Sequence, residues 1–268
     1  VTSTQVRPSP EGVPGAVTDP SSLQAEDITY PGAGGDSVNA YVVRPAAPGV
    51  LPGIIVIHEA GGLGEHIRDV ADRLAAVGHV ALAVDLYTRE GGPPEGGLPE
   101  IMERLFSMPD ERVLGDLEGA AGVLAGREDV SRRIGCIGFC MGGRYTLLLA
   151  CATTRLAAAV DCWGGFIDRA TPEEPSTPLR PTPPLELARR LSCPLYAAIG
   201  AEDQNPSPAL GEQLREAAAA SGQEVQVDVY EGAGHAFFAD YRPSYRPGPA
   251  AQLWEAIVPF LTRHLGGS

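Results

Sequence analysis

Ile134-Gly135-Cys136-Ile137-Gly138-Phe139-Cys140-Met141-Gly142-Gly143-Arg144-Tyr145 passes from an apolar run, through a cysteine flanked by glycines, into a helix-forming segment. It reads as a strand, a sharp turn with Cys140 at the apex, and a helix. Gly138-Phe139-Cys140-Met141-Gly142 has the spacing of a nucleophile elbow, G-x-S-x-G, with cysteine in place of serine. The glycines are there for steric reasons, since the apex residue occupies strained backbone and a side chain two positions to either side would collide with the adjoining strand and helix. A helix that starts directly after the turn aims its free N–H groups and positive dipole end at the sulfur, which suits a nucleophile. The competing reading is a buried structural cysteine in a Gly-rich strand-to-helix turn. To decide, the rest of the chain must supply a base, an orienting acid and an oxyanion hole.

The 268 residues are 44% hydrophobic, enough for a sizeable core in one large α/β domain or two smaller ones. All 20 positively charged residues are arginine, which excludes Schiff-base chemistry and a P-loop lysine. The net charge of −14 opposes nucleic acid or an anionic membrane as partner, so an anionic substrate needs local arginines. Cys136, Cys140, Cys151, Cys162 and Cys193 are odd in number and lack CxxC or Cys/His ligand spacing. They read as free thiols in a reducing compartment rather than as disulfides or a metal site. No apolar run is long enough to span a bilayer, and residues 1–24 lack the apolar core of a signal peptide. The cytoplasm is the expected location, with export through a removed N-terminal segment left open because the chain opens on Val1.

Residues 1–24, rich in Pro, Ser, Thr and Gly, read as an N-terminal arm, and 25–268 as a single domain. Asp27–Tyr30 and Ser37–Arg44 read as antiparallel strands. Gly53–His58 is a β-branched run expected of a strand buried on both faces. A helix over 65–77, with Ile67, Val70, Leu74 and Val77 at helical spacing, leads to a second buried strand, His79–Asp85. Leu86 to Pro109 reads as a long irregular connection placed to cover a site. Helix at 111–125, the strand–elbow–helix at 133–152, and strands at 156–161, 194–199 and 225–230 continue the alternation, with helices at 208–220 and 249–264. Residues 168–184, dense in proline and acid, read as a surface excursion. The rhythm predicts a doubly wound, mostly parallel sheet with helices on both faces and ligands at the carboxyl ends of its strands.

Those ends carry the polar candidates in the order an α/β-hydrolase requires: nucleophile, acid, histidine. Cys140 comes first; Asp203 or Glu202 follows the strand Leu195–Ile199; His235 follows the last strand in Glu231-Gly232-Ala233-Gly234-His235. Singly, Asp203 is as readily a helix cap and His235 an ordinary loop histidine. Together they make His235 the base for Cys140, with Asp203 fixing its tautomer. The N–H groups of Met141 and Ala60 are the natural oxyanion donors in this fold. Tyr87 and Tyr145 are pocket candidates whose plainer reading is packing, and Arg144 reads as a surface or helix-packing residue. His58 reads as a support for the loop after its strand, and Trp163-Gly164-Gly165 as a candidate pocket wall.

His58-Glu59-Ala60, Asp85-Leu86-Tyr87-Thr88-Arg89, Gly138–Gly143, Gly200-Ala201-Glu202-Asp203 and Gly232-Ala233-Gly234-His235-Ala236-Phe237 together resemble the dienelactone hydrolase (carboxymethylenebutenolidase) family over about residues 27–265. The resemblance implies an α/β-hydrolase fold with a triad of Cys140, His235 and Asp203. It also implies that Glu59 lies beside the resting thiol until substrate displaces it, and that two arginines hold the substrate's carboxylate. Arg89 matches the first. The second is expected four positions after the histidine, where this chain has Ala239; Arg242, three residues further, supplies that charge only if its loop curls back.

The first reading is therefore a cysteine hydrolase that opens an enol-lactone of the dienelactone type to maleylacetate through a thioester acyl-enzyme, a step in aromatic compound degradation. A second keeps the triad for a general carboxylesterase or thioesterase, and a third is a non-catalytic redox-sensing or ligand-binding relative. The expected partner is a small lactone or ester bearing a carboxylate, with no metal and no cofactor, and the protein is expected as a monomer or small homo-oligomer.

Overall fold

The run from Ile54 to Ile57 is fully buried, as a strand covered on both faces must be. The computed structural model describes residues 2–168 and 177–266. In chain order the elements are β1 (Thr2–Thr4), β2 (Leu23–Pro31), β3 (Ser37–Pro45), β4 (Leu51–Ile57), α1 (Glu65–Ala76), β5 (Val80–Val84), α2 (Leu98–Ser107) and α3 (Asp110–Ala125). They continue with β6 (Val130–Phe139), α4 (Met141–Ala152), β7 (Leu156–Cys162), α5 (Pro184–Leu187), β8 (Leu195–Gly200), α6 (Pro208–Ala218), β9 (Val225–Tyr230) and α7 (Pro247–Leu265). Among the described residues the strands form one sheet ordered β1-β2-β3-β5-β4-β6-β7-β8-β9. The pairings β1/β2, β2/β3 and β3/β5 are antiparallel, and those from β5 to β9 are parallel.

Helices cover both faces, giving an α/β-hydrolase architecture. Ile67, Val70 and Leu74 of α1 share one core with Leu253, Ile257 and Phe260 of α7. Val113 and Leu117 of α3, Leu147 and Leu148 of α4, and Leu214 of α6 pack into the core on the opposite face. Each such side chain contributes roughly 1.5–3 kcal/mol by leaving water. The parallel register brings Ile57 opposite Gly138, Phe139 opposite Cys162, and Gly200 opposite Tyr230. The exits of β4, β6, β7, β8 and β9 consequently open along one edge, where the candidate residues lie.

Three expectations change. The connection from Leu86 to Pro109 contains a ten-residue helix, α2. Leu98, Ile101, Met102 and Leu105 have helical spacing there, but the preceding run of Gly and Pro masks the period in sequence. The boundary at 24/25 falls inside β2, and the arm adds β1 to the sheet edge. Its Val6, Val13 and Val17 are buried; three isolated valines in a Pro/Gly-rich stretch have no period to reveal them. The excursion at 168–184 ends in α5, while 169–176 lies outside the described residues. All five cysteines are free. Among the described residues no helix is long and apolar enough to cross a membrane.

Candidate active site

Cys140 stands between β6 and α4 with φ 54° and ψ −114°, backbone that side-chain-bearing residues rarely adopt. Its N–H donates to Cys162 O at 2.9 Å, tying the elbow to β7. A Cβ on Gly138 would lie 2.1 Å from Gly142 O, and one on Gly142 would lie 2.2 Å from Ile57 O, so the elbow closes only with glycine at both positions. Met141 opens α4, and a first-turn N–H has no intrahelical acceptor. Ala60 lies in the turn after β4 that Gly62 N–H closes on Glu59 O at 3.0 Å. His58 braces this turn as expected: Nδ1 donates to Glu59 O at 2.6 Å while Nε2 accepts Leu86 N–H at 3.1 Å. Burial lowers the pKa of that ring, in keeping with the neutral form these two bonds require.

The exits of β8 and β9 bring acid and histidine together. Asp203 is buried and its Oδ2 accepts His235 Nδ1–H at 2.8 Å, while its Oδ1 takes Asn205 N–H at 2.9 Å. Of the two acids left open by sequence, it is Asp203 whose carboxylate meets the ring. Burial opposes a charge on His235, but hydrogen bonds and negative charge from Asp203 and Cys140 outweigh it and raise its pKa to about 10. The half-buried imidazole thus meets the acid through Nδ1.

Glu59 is 4% exposed, and its Oε1 accepts from Arg242 Nη2 at 2.8 Å and from the Tyr241 hydroxyl. The loop after His235 does curl back. Asp240 anchors it to α1, with Oδ1 3.0 Å from His66 Nδ1 and Oδ2 2.6 Å from the buried Arg73 guanidinium. Sequence reasoning passed over Asp240 and Tyr241, although Asp240-Tyr241-Arg242 stands five residues beyond His235 as an uncommonly polar step in an apolar run.

Arg89 is a correction. Its guanidinium is bidentate on the fully buried carboxylate of Asp116, at 2.7 and 2.9 Å, and its Nε donates to Asp36 at 2.9 Å. A buried carboxylate binds a guanidinium more strongly than an open cleft does, so Arg89 clamps α3 to the β2–β3 turn instead of joining Glu59 and Arg242. Tyr87 is buried, its hydroxyl 3.5 Å from Met141 Sδ and its ring tilted against His58, which is packing beneath the turn after β4. Trp163 is likewise buried, against Phe139 and Phe237. Arg144 is no surface residue: it is buried in a bidentate pair with Asp110 at 2.6 and 3.0 Å.

A cysteine at the strand-to-helix elbow of a mostly parallel sheet, with acid and histidine delivered by later strand exits, defines an α/β-hydrolase. Comparison with known proteins narrows the class. The profile of the dienelactone hydrolase family matches residues 38–265, and the chain belongs to that family. It is 34% identical over 256 residues to the Salmonella typhimurium protein named "Putative carboxymethylenebutenolidase", covering 94% of this chain and 93% of the relative. It is 30% identical over 237 residues to the "Probable 2-oxo-3-(5-oxofuran-2-ylidene)propanoate lactonase" of Bradyrhizobium sp., covering 88% and 93%. The crystal structure of the "Putative Dienelactone Hydrolase" from Klebsiella pneumoniae superposes with TM-score 0.83 at 34% identity, over 90% of this chain and 99% of that one. The protein is accordingly a hydrolase of ester or lactone bonds.

Proposed function

We propose that this enzyme opens a carboxylate-bearing enol-lactone of the dienelactone type through a Cys140–His235–Asp203 triad. The observation that carries the reading is the 2.8 Å bond from His235 Nδ1–H to Asp203, which leaves Nε2 to serve Cys140. In the first half-reaction the Cys140 sulfur, its proton already held on the His235 ring, adds to the lactone carbonyl. Met141 and Ala60 N–H groups stabilise the oxyanion. The ring C–O bond breaks, the enolate oxygen takes the proton from His235, and a thioester remains on Cys140. Water then attacks the thioester with His235 accepting its proton; the C–S bond breaks, the acid is released, and the sulfur leaves as thiolate beside the imidazolium. An enolate is a weakly basic leaving group, which suits a thiol nucleophile. Arg242 binds the substrate carboxylate by exchanging Glu59 for it, which frees Glu59 to move.

A second reading, a general carboxylesterase or thioesterase on the same triad, is favoured by one observation: Arg89 is held by Asp116 and Asp36. Steady-state hydrolysis of cis- and trans-dienelactone beside p-nitrophenyl acetate and butyrate separates the two. Saturable dienelactone turnover, abolished in Cys140→Ala and raised in KM in Arg242→Ala, is the expected result. Ester turnover without dienelactone turnover transfers the assignment to the esterase, and turnover that survives Cys140→Ala removes the triad.

A further inference from the structure

Tyr145, in the α4 turn that follows the elbow, is fully buried, and its hydroxyl has no hydrogen-bond partner among the described residues. The Arg180 guanidinium stands beside it: burial raises the phenol's pKa, and the charges of Arg144 and Arg180 oppose the rise. Arg180 is fixed by its backbone and its packing. Its N–H donates to Thr177 O at 3.0 Å, the adjacent Leu179 O accepts Asp110 N–H at 2.8 Å, and the guanidinium lies 4.7 Å from the ring centre of Phe106. Nη2 donates to Leu105 O, while Nε is buried without a partner. Among the described residues no carboxylate pairs with Arg180, and the nearby Asp110 is engaged on both oxygens by Arg144. Burial lowers the pKa of Arg180, as expected of a cation that has lost water without gaining a counter-ion.

Tyr87 connects this pair to the nucleophile. Its hydroxyl is 3.5 Å from Sδ of Met141, the residue after Cys140. Burial raises the pKa of that hydroxyl, Arg104 opposes the rise, and Cys140 and Tyr145 both add to it, so Tyr87 lies within electrostatic reach of the sulfur and of Tyr145. Arg104, its guanidinium 5.5 Å from the Tyr87 ring centre, likewise has no ion pair among the described residues; its Nη1 donates to Gly92 O at 3.1 Å. In a chain of net charge −14, two guanidiniums without counter-ions and an unused phenol beside the elbow make a place for an anion. Arg242 reaches the elbow from elsewhere. Its loop is anchored to α1 through Asp240, whereas Tyr145, Tyr87 and Leu105 belong to the core on the α3 and α4 face.

We propose a further activity for this enzyme: hydrolysis of half-esters of linear dicarboxylic acids, whose free carboxylate is taken by Arg180 and the Tyr145 hydroxyl while the ester carbonyl sits at Cys140. The proposal rests on the reading of Cys140 as the nucleophile and extends it. The chemistry is that of the lactone: the ester C–O bond breaks, the alcohol leaves with the proton from His235, and water releases the diacid from the thioester. A guanidinium and a phenol both offer donors, and a planar carboxylate accepts from both at once. An acyl chain that ends in methyl presents the same carbonyl and leaves those donors unfilled.

The test compares p-nitrophenyl hexanoate and octanoate with the p-nitrophenyl half-esters of adipate and suberate, which carry the same acyl chains ending in a carboxylate. The expected result in the wild type is a kcat/KM about tenfold or more above the matched alkanoate for at least one half-ester, the size of one charge-assisted hydrogen bond. Arg180→Gln should bring that ratio close to unity through KM, Tyr145→Phe should lower it in part, and Arg242→Ala should keep it. A ratio near unity at both chain lengths in the wild type overturns the proposal, as does a preference that survives Arg180→Gln or that Arg242→Ala removes. A variant that folds poorly lowers all four esters alike and leaves the ratio readable. Calorimetric titration of Cys140→Ala with monoethyl adipate and monoethyl suberate, alone and combined with Arg180→Gln, reads the same contact without turnover. Binding about tenfold weaker in the double variant supports the proposal, and equal binding overturns it. Failure of the triad is read separately, from hexanoate turnover that survives Cys140→Ala.

Discussion

At Gly142 a single added methyl meets backbone on two sides, 2.2 Å from Ile57 O and 2.8 Å from His58 O. Backbone cannot swing aside as a long side chain can. Gly142→Ala is therefore expected to destabilise the fold by about 1–3 kcal/mol and to abolish turnover by displacing Cys140; urea unfolding and ester hydrolysis check the two effects. At His235 the sign of the pH dependence is set by a pKa raised from 6.5 to about 10. A group raised in this way stabilises the native state fully below about 6.5 and loses that contribution as pH rises through about 10. NMR titration of the His235 ring should show a midpoint near 10 in the wild type and a lower one in Asp203→Asn, because the carboxylate that favours the imidazolium is gone. An unchanged midpoint would mean that Asp203 does not hold the proton on the ring.

Between elements, charge pairs do the fastening. Arg144 in the first turn of α4 and Asp110 at the start of α3 form a bidentate pair, with side chains 3% and 6% exposed. Removing one partner strands the other in low dielectric, so Asp110→Ala should cost about 3–5 kcal/mol, read as a lower denaturation midpoint. Arg89 plays the equivalent part between the β2–β3 turn and α3. Its replacement by alanine is expected to lower Tm while leaving KM for dienelactone within about twofold, whereas Arg242→Ala raises KM. The contrast decides which arginine meets the substrate. A rise in KM with Arg89→Ala would return it to the site.

Over the whole molecule, the N-terminal arm is held on the sheet by its valines. Val6 and Val17 pack into the core shared by α1 and α7, and Arg73 of α1 donates to Pro14 O. Val17→Ala should cost about 1–3 kcal/mol, a fall in Tm of several degrees for a domain of this size. A Tm equal to the wild type would show an arm that detaches before the sheet unfolds.

Strand periodicity, elbow spacing and the order Cys140, Asp203, His235 were legible in sequence, because backbone geometry repeats locally and glycine at an elbow has a local steric cause. α2 stayed hidden under its Gly/Pro-rich approach, and the arm under its lack of period. The tertiary structure alone decided which carboxylate each arginine meets: Arg89 on Asp116, Arg144 on Asp110, Arg242 on Glu59. Sequence lists charges without their distances, and a guanidinium pairs with whichever carboxylate the packing of helices and loops brings within reach. The chain by itself determined an α/β-hydrolase with cysteine at the elbow. Only the folded arrangement placed Arg242 at Glu59 and laid the arm against α1, because both depend on contacts between residues far apart in the sequence.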